Sequence, residues 1–152
     1  MSLINYVTRV QFGFGEIATL KTELALSGIT RPVIVTDKGV RALGMLDRIE
    51  AATGVIPVAV YDETPGNPNE AAAVKATELF LEAKGDGIIA IGGGSALDLA
   101  KAVAVLAAHG GPLKTYAVME GGMEKITNKT FPMIAVPTTA GTGSEVGRAA
   151  II

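Results

Sequence analysis

The stretch Gly87-Ile88-Ile89-Ala90-Ile91-Gly92-Gly93-Gly94-Ser95-Ala96-Leu97-Asp98-Leu99-Ala100-Lys101 decides the fold class. Gly87 to Ile91 is a continuous apolar run and reads as a strand covered on both faces. Three consecutive glycines break the run, and Ser95 to Ala108 then returns to apolar residues at helical spacing. A doubly buried strand feeding directly into a helix is the repeating unit of a parallel α/β sheet.

The same unit recurs on either side. Pro32 to Thr36 is a second buried strand, followed by a helix over roughly Leu43–Ala52 and a strand over Val55–Tyr61. Residues 62–69, with Pro65, Gly66, Pro68 and two Asn, form a loop. Glu70 to Lys84 is an amphipathic helix closed by Gly85, and Met133 to Val136 is a strand ending at Pro137. Near the start, Tyr6 to Phe12 alternates as a strand, Gly13 and Gly15 break it, and Glu16 to Ser27 has helical spacing up to Gly28. Residues 110–131 are polar and glycine-rich and carry no assignable period. Strand–helix alternation with short connections predicts an α/β fold with a doubly wound, mostly parallel sheet. The chain stops on the apolar, strand-like Ala149-Ala150-Ile151-Ile152, which suggests a longer protein interrupted in or just after a strand.

Composition narrows the function classes. Of 152 residues 49% are hydrophobic and 18% charged, enough to bury a substantial core. The formal charge is −2 and no Lys/Arg run occurs, so neither a nucleic-acid nor an anionic-membrane footprint is indicated. There is no cysteine and a single histidine, His109, which excludes disulfides, thiolate chemistry and a multi-histidine metal site within these residues. His109 beside Gly110 reads as compensation of a helix C-terminal dipole. No signal peptide or membrane span is evident, and a cytoplasmic location is expected.

Three glycine-containing loops compete as a phosphate cradle. Gly13-Phe14-Gly15-Glu16-Ile17-Ala18 fits a dinucleotide fingerprint in form, but Phe14 is bulky and Glu16 repels anions; a strand-to-helix turn explains it equally. Gly92-Gly93-Gly94-Ser95 sits at the carboxyl end of a buried strand, where helix amides and their partial positive charge meet ligands in open α/β sheets. A capping box from Ser95 to Asp98 is the purely structural alternative, yet it requires Ser95 and not three glycines. Pro137-Thr138-Thr139-Ala140-Gly141-Thr142-Gly143-Ser144-Glu145 places hydroxyls on a tight loop past another strand, although Thr/Gly turns also occur without function.

In these residues the chain resembles the iron-containing (group III) alcohol dehydrogenases. Residues 92–101 look like that family's Gly-Gly-Gly-Ser-x-x-Asp-x-x-Lys signature, and residues 137–145 match its Pro-Thr-Thr-Ala-Gly-Thr-Gly-Ser-Glu segment. Thr36-Asp37 and Asn67-Pro68 match two further features, and the likeness runs from Phe12-Gly13 to Ile152. The resemblance implies a Rossmann-like NAD-binding domain over residues 1–152 and a C-terminal helical, metal-binding domain that this chain lacks. It implies that Gly93, Gly94 and Ser95 bind the pyrophosphate and that Thr138, Thr139 and Thr142 contact phosphate and ribose. Asp37 would accept the adenosine ribose hydroxyls and repel the extra phosphate of NADP, Asn67 would lie near the nicotinamide or substrate, and Asp98 would join the cofactor contacts. On the residues alone, Asp37 reads equally as a capping or turn Asp, and Asp98 with Lys101 as a surface pair. The resemblance demotes the Gly13–Gly15 loop to a structural turn near the cofactor's edge.

Gly147-Arg148 stands where the family often has Thr after Ser-Glu-Val. The family's metal ligands, one Asp and three His, have no counterpart here, so neither catalytic nor metal-binding residues are expected in this chain. The resemblance implies an NAD-dependent, metal-assisted oxidoreductase of small alcohols or aldehydes, using Fe(II) or another divalent ion and acting as a homodimer. A free-standing dinucleotide-binding module, a maleylacetate reductase-like enzyme, or a lyase or synthase on the same scaffold are the alternatives.

Overall fold

The computed structural model describes residues 2–5 and 8–152. At the start, β1 (Ser2–Asn5) and β2 (Arg9–Phe12) pair antiparallel, with Ser2 opposite Phe12. Of the strand expected over Tyr6–Phe12, Tyr6 and Val7 lie outside the described residues. The helix expected from Glu16 opens as a 3-10 turn, Glu16–Thr19, and becomes α1 (Leu20–Leu26), which buries Leu20 and Leu24. Gly28, at φ 71°, then turns the chain, because a left-handed residue after a helix is cheapest without a Cβ.

After β3 (Pro32–Val35) comes a short helix that the sequence reading did not include, α2 (Lys38–Ala42), and then α3 (Met45–Thr53), which is the helix predicted over Leu43–Ala52. Gly44 between them has φ 67°, which no continuous right-handed helix can include. Asp37 starts α2 by capping it. β4 (Ala59–Tyr61) is shorter than the predicted Val55–Tyr61. Pro57 carries no N–H for the ladder, and pairing begins only with Val58 N donating to Pro32 O at 2.9 Å. Next come α4 (Glu70–Glu82), capped by Asn69 Oδ1 accepting from Ala72 N at 3.0 Å, then β5 (Gly87–Gly92) and α5 (Gly94–His109). The unassigned stretch contains three 3-10 turns, Leu113–Tyr116, Val118–Glu120 and Gly122–Lys125, before β6 (Met133–Pro137).

The main sheet has the order β4-β3-β5-β6, every neighbouring pair parallel. Period-two alternation within the apolar strands divides them between two cores. Val33, Val35, Ile88 and Ala90 face α4 and α5, packing with Ala73, Ala76, Phe80, Leu97 and Val103. Ile34, Ile89 and Ile91 face the other way, onto Leu20 and Leu24 of α1 and Ile49 of α3. Helices therefore cover both faces, and each such fully buried aliphatic side chain contributes about 1.5–3 kcal/mol. Phe80 completes the first core edge-on to Phe131, ring centroids 4.9 Å apart.

The amino ends of β3 and β5 are fastened together. Asp86 accepts from Thr30 N and Oγ1 and from Arg31 N, while the Arg31 guanidinium donates to Ala83 O and Lys84 O. Burial pushes the Asp86 carboxyl up, but these hydrogen bonds together outweigh it and hold the group below its ordinary value.

Candidate functional site

The order in which strands are added reverses between β3 and β5: β4 lies outside β3 on one side, and β5 with β6 on the other. Such a switch point opens a crevice at the carboxyl ends of the two strands. Here it is a cleft of about 480 Å³ lined by Asp37, Gly39 and Val40 after β3, Thr64, Pro65 and Gly66 after β4, Gly93, Ser95 and Ala96 after β5, and Thr138 and Thr139 after β6. Segments far apart in sequence converge because all four parallel strands deliver their following loops to one end.

The centre of the cleft is the start of α5. Gly93 has extended backbone and no side-chain cap, and the first intrahelical bonds are Ala96 N and Leu97 N to Gly93 O. The amides of Gly94 and Ser95 precede these bonds and so have no partner within the helix. Together with the helix dipole they form a positive, donor-rich surface. The glycines admit close neighbours: a Cβ on Gly93 would stand 3.2 Å from Thr139 Oγ1, and one on Gly94 3.1 Å from Thr142 Cγ2 and 3.2 Å from Ser144 Oγ. Thr138 N donates to Gly92 O at 2.9 Å, which docks the hydroxyl-bearing loop directly on β5.

The structure thus brings Asp37, Gly93, Ser95, Thr138 and Thr139 to one cleft, with Gly94 and Thr142 in mutual contact beside them. Asp37 does two things at once. Its Oδ1 accepts from Val40 N at 2.9 Å as the cap of α2, and its Oδ2 faces Gly92, 3.4 Å from where a Cβ would stand. Ser95 does not form the capping box with Asp98; its hydroxyl donates across the cleft to Gly66 O at 2.7 Å. Asn67 follows that carbonyl and is exposed.

Asp98 lies elsewhere. It is buried, with Oδ1 3.0 Å from Lys101 Nζ and Oδ2 accepting from Ile151 N at 3.2 Å, and is not among the residues that line the cleft. The expected pairing with Lys101 is present, but it is buried rather than on the surface and it also holds backbone. His109 ends α5, as expected, and its ring makes further contacts. Its Nε2 accepts from Thr127 N at 3.3 Å and sits 3.1 Å from Thr130 Oγ1, so the ring bridges α5 to the loop before β6. The Gly13–Gly15 turn does not line the cleft; Gly15 O accepts from Ala18 N at 3.0 Å and starts the 3-10 turn.

Sequence reasoning missed Thr64, whose hydroxyl donates to Thr36 O at 2.6 Å and hangs the 62–69 loop on the end of β3. It also missed Ser144 against Gly94. Neither carries a local signal, because each acts only through a partner distant in sequence. A second depression of about 350 Å³ lies beside β4 and is lined by Tyr61, Asp62, Glu63, Lys75, Glu78 and Glu82 among others. Burial pushes the Tyr61 phenol up, and Glu63 and Asp62 add to the effect. Four carboxylates against one ammonium make that surface unsuited to a phosphate. Among the described residues no group of three or more His, Asp or Glu could hold a metal ion, and no helix is long and apolar enough to cross a membrane.

Known proteins are similar to this chain in sequence and in fold. The chain is 53% identical to the 4-hydroxybutyrate dehydrogenase of Cupriavidus necator, over all of this chain and 40% of that protein. It is 37% identical to alcohol dehydrogenase 4 of Schizosaccharomyces pombe, over 93% of this chain and 33% of the relative. Its fold superposes on the sulfoacetaldehyde reductase of Bifidobacterium kashiwanohense solved with NAD+, with TM-score 0.78 and 30% identity over 90% of this chain and 35% of that one. The NADH-dependent butanol dehydrogenase A of Thermotoga maritima gives TM-score 0.78 at 26% identity, over 94% of this chain and 36% of that one. The chain therefore spans 40% or less of the length of these relatives. Residues 7–152 match the iron-containing alcohol dehydrogenase family, and the chain belongs to it.

Proposed function

We propose that this chain is the NAD-binding domain of a cytoplasmic, homodimeric alcohol dehydrogenase that moves a hydride between nicotinamide and a small alcohol or aldehyde. The observation that carries the reading is the switch-point cleft: unpartnered amides at the start of α5, glycines at 93 and 94 that admit close neighbours, the Thr139 hydroxyl against Gly93, and the Thr142 side chain with the Ser144 hydroxyl against Gly94. A diphosphate fits this donor set. It brings negative charge to a helix N-terminus, and a side chain at either glycine would fill the cradle.

In this reading Gly93, Gly94 and Ser95 hold the diphosphate through backbone amides, and Thr138, Thr139 and Thr142 donate hydroxyls to phosphate and ribose. Asp37 accepts the adenosine ribose hydroxyls with the oxygen its cap leaves over, and its charge repels a 2′-phosphate, favouring NAD over NADP. Asn67, on the loop opposite Ser95, borders the reactive end. Bound NAD supplies a two-electron hydride acceptor or donor; these residues supply its position and orientation. The divalent metal typical of the family does not fit the described residues, so Fe(II) or another ion would have to be held by further chain.

The test is titration of the chain with NADH, followed by nucleotide fluorescence. Saturable binding that Gly94→Val abolishes is expected, with NADPH binding more weakly. Alcohol-dependent NADH formation by these residues alone is not expected, and observing it would overturn the division of labour. Wild-type binding left intact by Gly94→Val would overturn the phosphate assignment.

A further inference from the structure

We propose that Asp98 and Lys101 are positioning residues for the cofactor loop, a buried electrostatic clamp that holds residues 138–148 against the start of α5; this rests on the cofactor reading above. The pair sits three residues apart on α5, with side chains only 8% and 12% exposed. A buried ion pair is a poor source of net stability, since desolvation offsets most of its attraction. Its remaining hydrogen bonds show where it acts. Lys101 Nζ donates to Ala149 O at 2.8 Å, and Asp98 Oδ2 accepts from Ile151 N at 3.2 Å.

Those two contacts are 48 and 53 residues distant in sequence, and both grip backbone just beyond the loop. Its near end is pinned by Thr138 N to Gly92 O, so both ends are fastened to the one β5–α5 unit. The loop between is held locally by Val146 N and Gly147 N donating to Gly143 O, and by Ser144 N donating to Thr142 Oγ1. Thr8 Oγ1 to Val146 O, at 3.2 Å, is a further tie, single and exposed. A loop of exposed Thr and Gly has little apolar surface to hold it in place. Fixing both ends limits where Thr139 and Thr142 can go, and keeps them beside Gly93 and Gly94. The carboxylate and ammonium touch no cofactor in this scheme; they act through the backbone they hold.

The discriminating variant is the double substitution Asp98→Leu/Lys101→Met, which replaces the pair by apolar groups of similar size and leaves no uncompensated charge. A role confined to stability predicts a chain whose loop exchange and NADH affinity match wild type. The clamp predicts an unchanged denaturation midpoint and unchanged exchange at Val33–Val35 and Ile88–Ile91, but amide exchange at Val146, Gly147 and Ile151 about tenfold faster. NADH affinity should fall about tenfold, as expected when charge-assisted hydrogen bonds that order a site are removed. Should the double variant fail to fold, Asp98→Asn decides by the same two readouts, with smaller effects in the same direction. Unchanged loop exchange overturns the clamp. Faster exchange with unchanged affinity overturns the positioning role. A wild-type chain that does not bind NADH overturns the cofactor reading instead, and loop exchange then decides on the clamp by itself.

Discussion

The hydroxyl of Ser95 donates to the carbonyl of Gly66 at 2.7 Å, so the first turn of α5 holds the loop leading into α4 across the mouth of the cleft. The bond spends the Ser95 hydroxyl on protein, which leaves its backbone amide as the donor for a phosphate. Ser95→Ala should therefore weaken NADH binding only modestly, by about 1 kcal/mol through the loosened loop. Gly94→Val should be far worse, because a Cβ there already meets Thr142 and Ser144 at 3.1–3.2 Å. Titration of both variants ranks them; the reverse order would mean that the hydroxyl and not the amide binds the anion.

Asp37 separates a cap from a charge. Asp37→Asn keeps an oxygen for Val40 N and should leave thermal stability nearly unchanged while relaxing the rejection of NADPH. Asp37→Ala removes the cap as well and should cost about 1 kcal/mol of stability. Parallel melting curves and NADH/NADPH titrations check both. An unchanged cofactor preference in Asp37→Asn would leave Asp37 a cap alone.

Acid stability should depend on Asp86. Its folded value is held below the ordinary one by bonds from Thr30 and Arg31, so its stabilisation is present above the unfolded value and is lost as pH falls through the folded value. Denaturant unfolding of wild type should weaken below about pH 4. Asp86→Ala should be less stable at neutral pH and should show a flatter acid limb.

Phe80 is fully buried and edge-on to Phe131, in the core shared by α4 and α5. Phe80→Ala should cost about 3–5 kcal/mol by equilibrium unfolding, since the helices around it can close the void only in part. A cost near zero would show that the two helices are not packed as described.

The local pattern of residues was sufficient to set out the α/β alternation, the burial of the unbroken apolar strands on both faces, and the glycine and threonine loops that flank the site. These follow from short-range physics: side-chain alternation, helical period, and the freedom of a residue without a Cβ. Where an expectation failed locally, a single residue was responsible, the Asp37 cap starting an additional short helix α2 and Pro57 shortening β4. Only the tertiary structure could give Asp37 its cap and its place in the cleft together, send the Ser95 hydroxyl to Gly66, or turn Asp98 and Lys101 from a surface pair into a buried grip on residues 149–151. Those outcomes depend on partners tens of residues away, and sequence spacing along one helix says nothing about what the rest of the chain lays against it.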